Sequence, residues 1–389
     1  MRILYHHRTQ GRGAEGVHIV SIVKALESLG HDVTVLSPAG VNPLKNAGNA
    51  PVDKSDVKTS GIDSVWKFIS KNLPNFIFEF IEIFYNIPAS IRLEKELSNN
   101  NYDIIYERYA FYLVAGAIKA KKYKIPFVLE ANEVSGIEDR ARKQIFKKLC
   151  DSFERFLFIR CSSILTVSSF LKQKIIKQGV STDLVHVVPN AIDVTKFHHN
   201  IKNDDLKNKF NIGSSVVIGF AGWFDDWDRL DLLIEVFNGL TKNYPVKLLL
   251  IGDGEVLNNV KSKAKEYKIE SDIILTGAVD RLDVQRYLSL LDIAIITHSN
   301  DFGSPVVMFE FMGLKIPVIA PDLMPILDVL ENDKTALIFK ALDMKALKLN
   351  IIKLLEDKDK RNQISSAAYV KLIDNHTWEK NAQMIISTI

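Results

Sequence analysis

Short apolar runs and helical spacings alternate along the chain. Ile3–Tyr5 reads as a strand. From Val17 to Leu29 apolar side chains recur at helical spacing, and Gly30 follows as a stop signal. Val33–Leu36 is the next predicted strand, ended by Ser37-Pro38. Tyr102–Tyr106, Phe127–Leu129, Ser163–Val167 and Val185–Val188 follow, with helical stretches between most of them. The rhythm then restarts with Val216–Phe220, Lys247–Ile251, Ile273–Leu275, Ile293–Ile296 and Pro317–Ala320. Strand, helix, strand, repeated, predicts parallel sheets covered on both faces.

The polar stretch His198 to Asn211 lacks strong apolar periodicity and separates the two series. The expectation is an α/β protein of two doubly wound, Rossmann-like domains, residues 1–195 and 196–375, facing across a cleft. Open sheets of this kind bind ligands at the carboxyl ends of their strands. Residues 39–75, rich in Asn, Lys and Ser, read as a long mobile connection.

A length of 389 residues fits two domains, since single cores stop growing near ~250–300 residues. With 47% hydrophobic and 25% charged residues, the disordered, collagenous and disulfide-scaffold classes are excluded. The formal net charge of +3 makes no general case for nucleic acid, and none is expected as a partner. The charge is unevenly divided: residues 1–195 carry +6 and the remainder −3. Cys150 and Cys161 have no metal-site spacing and suit a reducing compartment. The N-terminus turns polar too soon for a signal peptide, and no run of about 18 apolar residues exists. These readings predict a cytoplasmic protein.

Gly11-Arg-Gly13-Ala-Glu-Gly16 fits G-x-G-x-x-G between a strand and a helix. A dinucleotide site also needs an acid ending the second strand, and here that place holds Ser37-Pro38. Two readings remain for Gly13 and Gly16. They let backbone amides approach an anion, or they form a tight turn with close helix packing.

Taken in order, several segments resemble the family-4 glycosyltransferases. They are Gly13-Ala-Glu-Gly-Val-His18, Gly30-His-Asp-Val-Thr-Val-Leu36, Tyr102-Asp-Ile-Ile-Tyr-Glu-Arg108 and Ile125-Pro-Phe-Val-Leu-Glu-Ala-Asn132. Val188-Pro-Asn-Ala-Ile-Asp193, Gly219-Phe-Ala-Gly222, Leu250-Ile-Gly-Asp-Gly254, Gly303-Ser-Pro305, Phe309-Glu310 and Pro317-Val-Ile-Ala320 complete the series. The resemblance implies the GT-B fold and retaining transfer of a sugar from a nucleotide-sugar donor to an acceptor hydroxyl. It places the donor on the second domain and the acceptor on the first. It implies no bound metal and no other cofactor, and the nine histidines show no metal-ligand spacing. The last segment, 376–389, resembles the family's terminal helix that crosses back to the first domain.

Residue by residue, the resemblance makes Glu310 a ribose-hydroxyl binder, a role suited to a carboxylate that accepts two hydrogen bonds. The alternative is an ordinary helix charge. Gly303, Ser304, Pro305 and Val306 form the turn that would offer amides to donor sugar or phosphate, or would simply cap the helix. Where the family has its first motif glutamate this chain has Phe302; either Asp301 beside it substitutes with a shift, or the donor sugar is held differently. After Gly222 the family places a basic residue and, about six positions on, a lysine. Here those places are Trp223 and Asp228. Arg229 either replaces the lysine on the diphosphate or pairs with Asp225, Asp226 or Asp228. Val279 would approach the base.

In the first domain Asn132 takes the place of a histidine that many relatives carry, and it cannot act as a base. Glu138 is either an acceptor-side base or a solvated charge. Glu107 and Arg108 would line the same cleft, or pair with each other. The lysines 119, 121, 122, 124, 147 and 148 and Arg140, Arg142 and Lys143 stand near the aromatic run Phe76–Tyr85. Basic and aromatic surface together suit peripheral contact with an anionic membrane and a lipid-linked or glycan acceptor. The alternative is a core helix beside a solvated face. The functional expectation is a glycosyltransferase of polysaccharide or glycolipid biosynthesis. A weak or inactive relative that binds a nucleotide sugar or a partner enzyme, and a sugar-nucleotide epimerase, remain as alternatives.

Overall fold

The computed structural model describes residues 1–11, 13–46, 75–137 and 144–389. Glu138, Arg140, Arg142, Lys143 and most of the 39–75 connection lie outside these residues. The chain divides into two compact units, Met1–Val188 with Trp378–Ile389, and Pro189–Thr377.

Unit 1 holds a six-stranded parallel sheet in the order β2-β1-β3-β4-β5-β6. Its strands are β1 (Arg2–His6), β2 (Asp32–Leu36), β3 (Ile104–Arg108), β4 (Phe127–Ala131), β5 (Ser163–Thr166) and β6 (Val185–Val187). The helices are α1 (Gly13–Ser28), α2 (Pro43–Asn46), α3 (Asn75–Phe84), α4 (Asn86–Asn99), α5 (Ala115–Tyr123), α6 (Lys147–Phe158) and α7 (Ser169–Ile176). Ile3, Leu4, Ile105, Val128, Leu129 and Ile164 are fully buried, which explains the near-continuous apolar strands. Helix α1 gives way at Gly30, whose φ of +85° a side chain would oppose. The order reverses between β1 and β3, so their carboxyl ends open a crevice there.

Unit 2 repeats the plan in the order β12-β11-β10-β7-β8-β9. Its strands are β7 (Val216–Ala221), β8 (Val246–Ile251), β9 (Ile273–Leu275), β10 (Ile293–Ile295), β11 (Val318–Pro321) and β12 (Leu337–Phe339). Helices α8 (Asp204–Lys209), α9 (Leu230–Thr241), α10 (Leu257–Tyr267), α11 (Val284–Leu288), α12 (Val306–Gly313) and α13 (Met324–Leu327) accompany them, with α14 (Met344–Glu356) and α15 (Lys358–Asn375). One buried cluster, including Leu249, Leu291, Phe309, Phe311 and Met312, lies under α12. A second, including Phe220, Leu233, Phe237 and Leu248, lies under α9. The order reverses between β7 and β10, so the loops after these strands frame the crevice.

The terminal helix α16 (Trp378–Ser387) belongs to unit 1, where the Trp378 ring meets the His18 ring of α1 edge-on at 4.9 Å. The change of unit falls between Val188 and Pro189, a few residues before the polar stretch that suggested it. Strand β12 has no counterpart among the expected strands.

Candidate active site

In unit 2 the turns after β7 and β8 are laced together through their backbones. Gly222 donates its N–H to Ile251 O at 3.0 Å, and Phe224 donates to Asp253 O at 2.8 Å. A Cβ on Gly252, at φ +134°, would lie 1.9 Å from the Gly222 carbonyl oxygen, so only glycine permits this approach. Trp223 is exposed at the turn. Asp228 is buried, and its carboxyl is pushed up to about 7, chiefly by desolvation. It accepts the Asp225 N–H at 3.0 Å. The Nδ1–H of His298, beyond β10, reaches Trp227 O at 3.0 Å.

Arg229 starts α9 in a left-handed conformation, φ +50°. Its Nε and Nη2 donate to the two carboxylate oxygens of Asp231, each at 2.9 Å. The pair borders a pocket of about 280 Å³ together with Asp226, Val256 and Asn259. Gly222, Trp223 and Glu310 do not line that pocket. The guanidinium expected on a diphosphate is thus held by its own helix. Its partner is Asp231, outside the three acids that the sequence offered.

The turn before α12 is fixed from two sides. Asn300 Oδ1 accepts the N–H groups of Phe302 and Gly303 at 3.2 and 2.6 Å. Asn190 holds Ser304 through two hydrogen bonds, and Ser304 is buried. Asp301 and Val306 are exposed, while Gly303 and Pro305 are half-buried. Helix α12 begins at Pro305 without a side-chain cap, leaving first-turn amides for another acceptor.

Within α12, Glu310 is 2% exposed among buried apolar neighbours. Arg281 Nη2 stands 2.5 Å from Glu310 Oε1. That contact is a close ion pair. Burial pushes the Glu310 carboxyl up, and Arg281 opposes it. The Arg281 guanidinium lies 5.4 Å from the centre of the Phe197 ring. Sequence reasoning missed Arg281, although it stands two residues after Val279 in the turn following β9. Val279 itself is half-buried against the core.

Unit 1 carries a denser polar cluster at its strand ends. Glu130 Oε2 accepts the hydroxyls of Tyr5 at 3.1 Å and Tyr106 at 2.9 Å. Glu130 Oε1 accepts from Arg108 and from the side-chain amide of Asn132. Burial alone would raise the Glu130 carboxyl, but the charges of His18 and Arg108 and two hydrogen bonds bring it down to about 2. His18 is itself lowered to about 4 by burial, so Arg108 is the cation at neutral pH. His18, Tyr106, Glu130 and Asn132, with Trp378 and Asn381, line a cavity of about 20 Å³, room for about one water and not for a sugar.

Glu107 does not line that cavity. It is fully buried and hydrogen-bonded at 2.5 Å to Nδ1 of the equally buried His6. Glu107 and Arg108, alternately expected to pair with each other, each have a different partner because adjacent strand residues face opposite sides. Gly16 serves packing, since a Cβ there would meet the Gly11 carbonyl oxygen at 2.1 Å. Gly13, at φ +65°, has open space on that side. Glu130 and His18 were also missed, though an acid inside an apolar strand is a signal of a buried pair. Among the described residues no His, Cys, Asp and Glu side chains form a group able to hold a metal ion.

Two family profiles match the chain. Residues 15–196 match "Glycosyltransferase Family 4", and residues 202–371 match "Glycosyl transferases group 1". The chain belongs to the family-4 glycosyltransferases. This glycosyltransferase is 28% identical over 220 residues to the capsular polysaccharide biosynthesis glycosyltransferase CapM of Staphylococcus aureus, covering 54% of this chain and 57% of that one. The chain therefore spans little more than half of that relative's length. It is 22% identical over 289 residues to the UDP-Gal:alpha-D-GlcNAc-diphosphoundecaprenol alpha-1,3-galactosyltransferase of Escherichia coli, covering 72% and 73%. In fold it is similar to a Rickettsia africae glycosyltransferase, with TM-score 0.75, 17% identity and coverage of 99% and 97%. It is also similar to Anabaena HepE in complex with UDP, with TM-score 0.71, 16% identity and coverage of 100% and 99%. In this glycosyltransferase one element, α12, carries both a buried acid, Glu310, and a start without a side-chain cap. In unit 1 the Glu130 carboxylate is balanced by Arg108 and hydrogen-bonded by Tyr5, Tyr106 and Asn132.

Proposed function

We propose that this glycosyltransferase moves a sugar, with retention at the anomeric carbon, from a nucleoside diphosphate sugar to a hydroxyl of a glycan or lipid-linked acceptor. Unit 2 takes the donor and unit 1 the acceptor, in polysaccharide or glycolipid biosynthesis. The observation that carries the reading is the buried Glu310 carboxylate beside the uncapped start of α12. A carboxylate so placed is costly unless hydroxyls or cations complete it, and a ribose diol does so. The amides of Val306 and its neighbours then meet the diphosphate, with no resident metal or cofactor. HepE structures hold UDP and UDP-glucose, and the E. coli relative is named for a diphosphoundecaprenol acceptor.

The same reading includes peripheral contact with the cytoplasmic face of a membrane. Phe76, Phe80, Phe84, Ile87 and Ile91 are exposed along α3 and α4, at spacings that share a helical face. Phe80 meets the Phe146 ring at 5.6 Å, just before the exposed Lys147 and Lys148. No described helix is long and apolar enough to cross a membrane.

The test is incubation with a panel of nucleotide sugars and lipid-linked acceptors, with the product linkage read by NMR. Transfer that keeps the donor's anomeric configuration supports the proposal. Inverted configuration sinks the retaining assignment. Binding without turnover points to a carrier role, and a nucleotide sugar altered at one carbon points to epimerisation. Flotation with anionic vesicles tests the membrane contact, which loss of flotation in Phe80→Ser/Phe84→Ser supports.

A further inference from the structure

Glu310 lies where an ionised carboxyl is least comfortable. Its helix buries every residue from Met308 to Gly313, and the acid is 2% exposed. Among the described residues one cation reaches it, Arg281, at 2.5 Å. The Arg281 side chain is 40% exposed, and its guanidinium lies 5.4 Å from the centre of the Phe197 ring. The acid is therefore fixed while its partner stays in contact with water. The ion pair runs to Oε1, and a carboxylate has a second oxygen with lone pairs of its own.

We propose that Arg281 is a positioning residue for donor binding, which keeps Glu310 charged and oriented as the acceptor of the nucleotide's ribose hydroxyls. The inference rests on the nucleotide-sugar reading above and names the group on which that reading depends. A carboxylate accepts two hydroxyl protons at once, whereas a carboxylic acid gives up part of that capacity to its own proton. Burial favours the neutral acid, and Arg281 is the charge that counters it. The nearby His376, edge-on to Phe309 at 5.4 Å, is lowered to about 4 by burial and is neutral over the range of interest. Lys371 of α15 is committed to Glu331 at 2.5 Å. Removing Arg281 shifts the Glu310 carboxyl further up, so nucleotide affinity falls at a higher pH than in the wild type.

The experiment is calorimetric titration with UDP and with GDP from about pH 5.5 to about pH 8.5, scored as the ratio of variant to wild-type affinity so that phosphate ionisation cancels. Arg281→Met is expected to bind roughly 10-fold more weakly at the acid end and to recover as pH rises. Arg281→Lys is expected to stay within about threefold throughout. Adding Glu310→Gln to Arg281→Met removes the slope, which separates Glu310 from Asp228 and other titrating groups. A flat, wild-type profile for Arg281→Met, with Glu310→Gln alone still weakening binding, overturns the positioning role and leaves the ribose reading standing. A loss equal at every pH also overturns it, since Arg281 would then touch the nucleotide directly. Wild-type affinity in Glu310→Gln removes the ribose reading itself. Thermal unfolding of each variant checks that it is folded.

Discussion

Asn190 donates its side-chain amide to the carbonyl oxygen of Ser304 at 2.7 Å, and its backbone N–H to Ser304 Oγ at 3.2 Å. A residue at the start of unit 2 thereby fixes the turn that opens α12, more than a hundred positions later. The consequence is testable. Asn190→Asp keeps size but replaces the donating amide with an acceptor facing a carbonyl. Donor affinity is expected to fall about 10-fold, the loss of one net hydrogen bond of about 1.4 kcal/mol. Asn190→Gln, which can still donate, is expected to lose less. Equal affinity in Asn190→Asp and wild type would show that the turn holds without this clasp.

Arg229 was the sequence's candidate for the diphosphate, and its geometry argues otherwise. A bidentate pair with Asp231 raises the arginine's pKa and lowers that of the aspartate. Arg229→Ala is expected to change turnover less than about threefold and stability by less than about 1 kcal/mol, as for a partly exposed pair. A turnover loss of about 100-fold with unchanged donor affinity would return Arg229 to the diphosphate.

Asp228 gives a pH signature in stability. Its folded carboxyl sits near 7, above an unfolded value near ~3.9, because burial disfavours the charge. A raised pKa means that the folded state binds the proton more tightly. Its contribution is fully present below the unfolded value and is lost as pH climbs through about 7. Asp228→Asn cannot ionise and can still accept the Asp225 N–H. Its Tm advantage over wild type is expected to be small near about pH 4 and to grow toward about pH 8. A constant difference across that range would remove burial as the cause.

What could be read in advance follows from how far each signal extends along the chain. Parallel strands such as Val246–Ile251 are buried on both faces, so each carries its own apolar run and needs no partner to be seen. The place of Glu310 inside a helix was legible because the turn Gly303-Ser-Pro305 precedes it in one segment. Arg281 was not, because its importance comes from a residue 29 positions away that only the β9 and β10 loops bring together. Glu107 and Arg108 show the same limit. Their neighbours are set by strand order, with His6 arriving from β1 and Glu130 from β4. Trp223 and Asp228 looked like a defect in an anion site. Their turn instead uses its acid for local backbone hydrogen bonding.

The Glu130 cluster is the last testable case, because two effects oppose each other there. Arg108 and Glu130 are both nearly buried, with 12% and 6% of their side chains exposed. Removing one partner leaves the other as an uncompensated charge, which typically costs about 3–5 kcal/mol. Arg108→Met is therefore expected to unfold well below wild type. The double variant Arg108→Met/Glu130→Gln keeps acceptors for Tyr5 and Tyr106, carries no charge and is expected to recover most of the loss. The pH dependence has the opposite sign to that of Asp228. Glu130 is depressed to about 2, so its contribution is present above the unfolded value near ~4.3 and is lost as pH falls toward 2. Urea unfolding at about pH 3 and about pH 7 separates the cases, since only proteins with an intact pair lose this increment on acidification. A double variant no more stable than Arg108→Met would mean that the guanidinium is needed for packing rather than for charge balance.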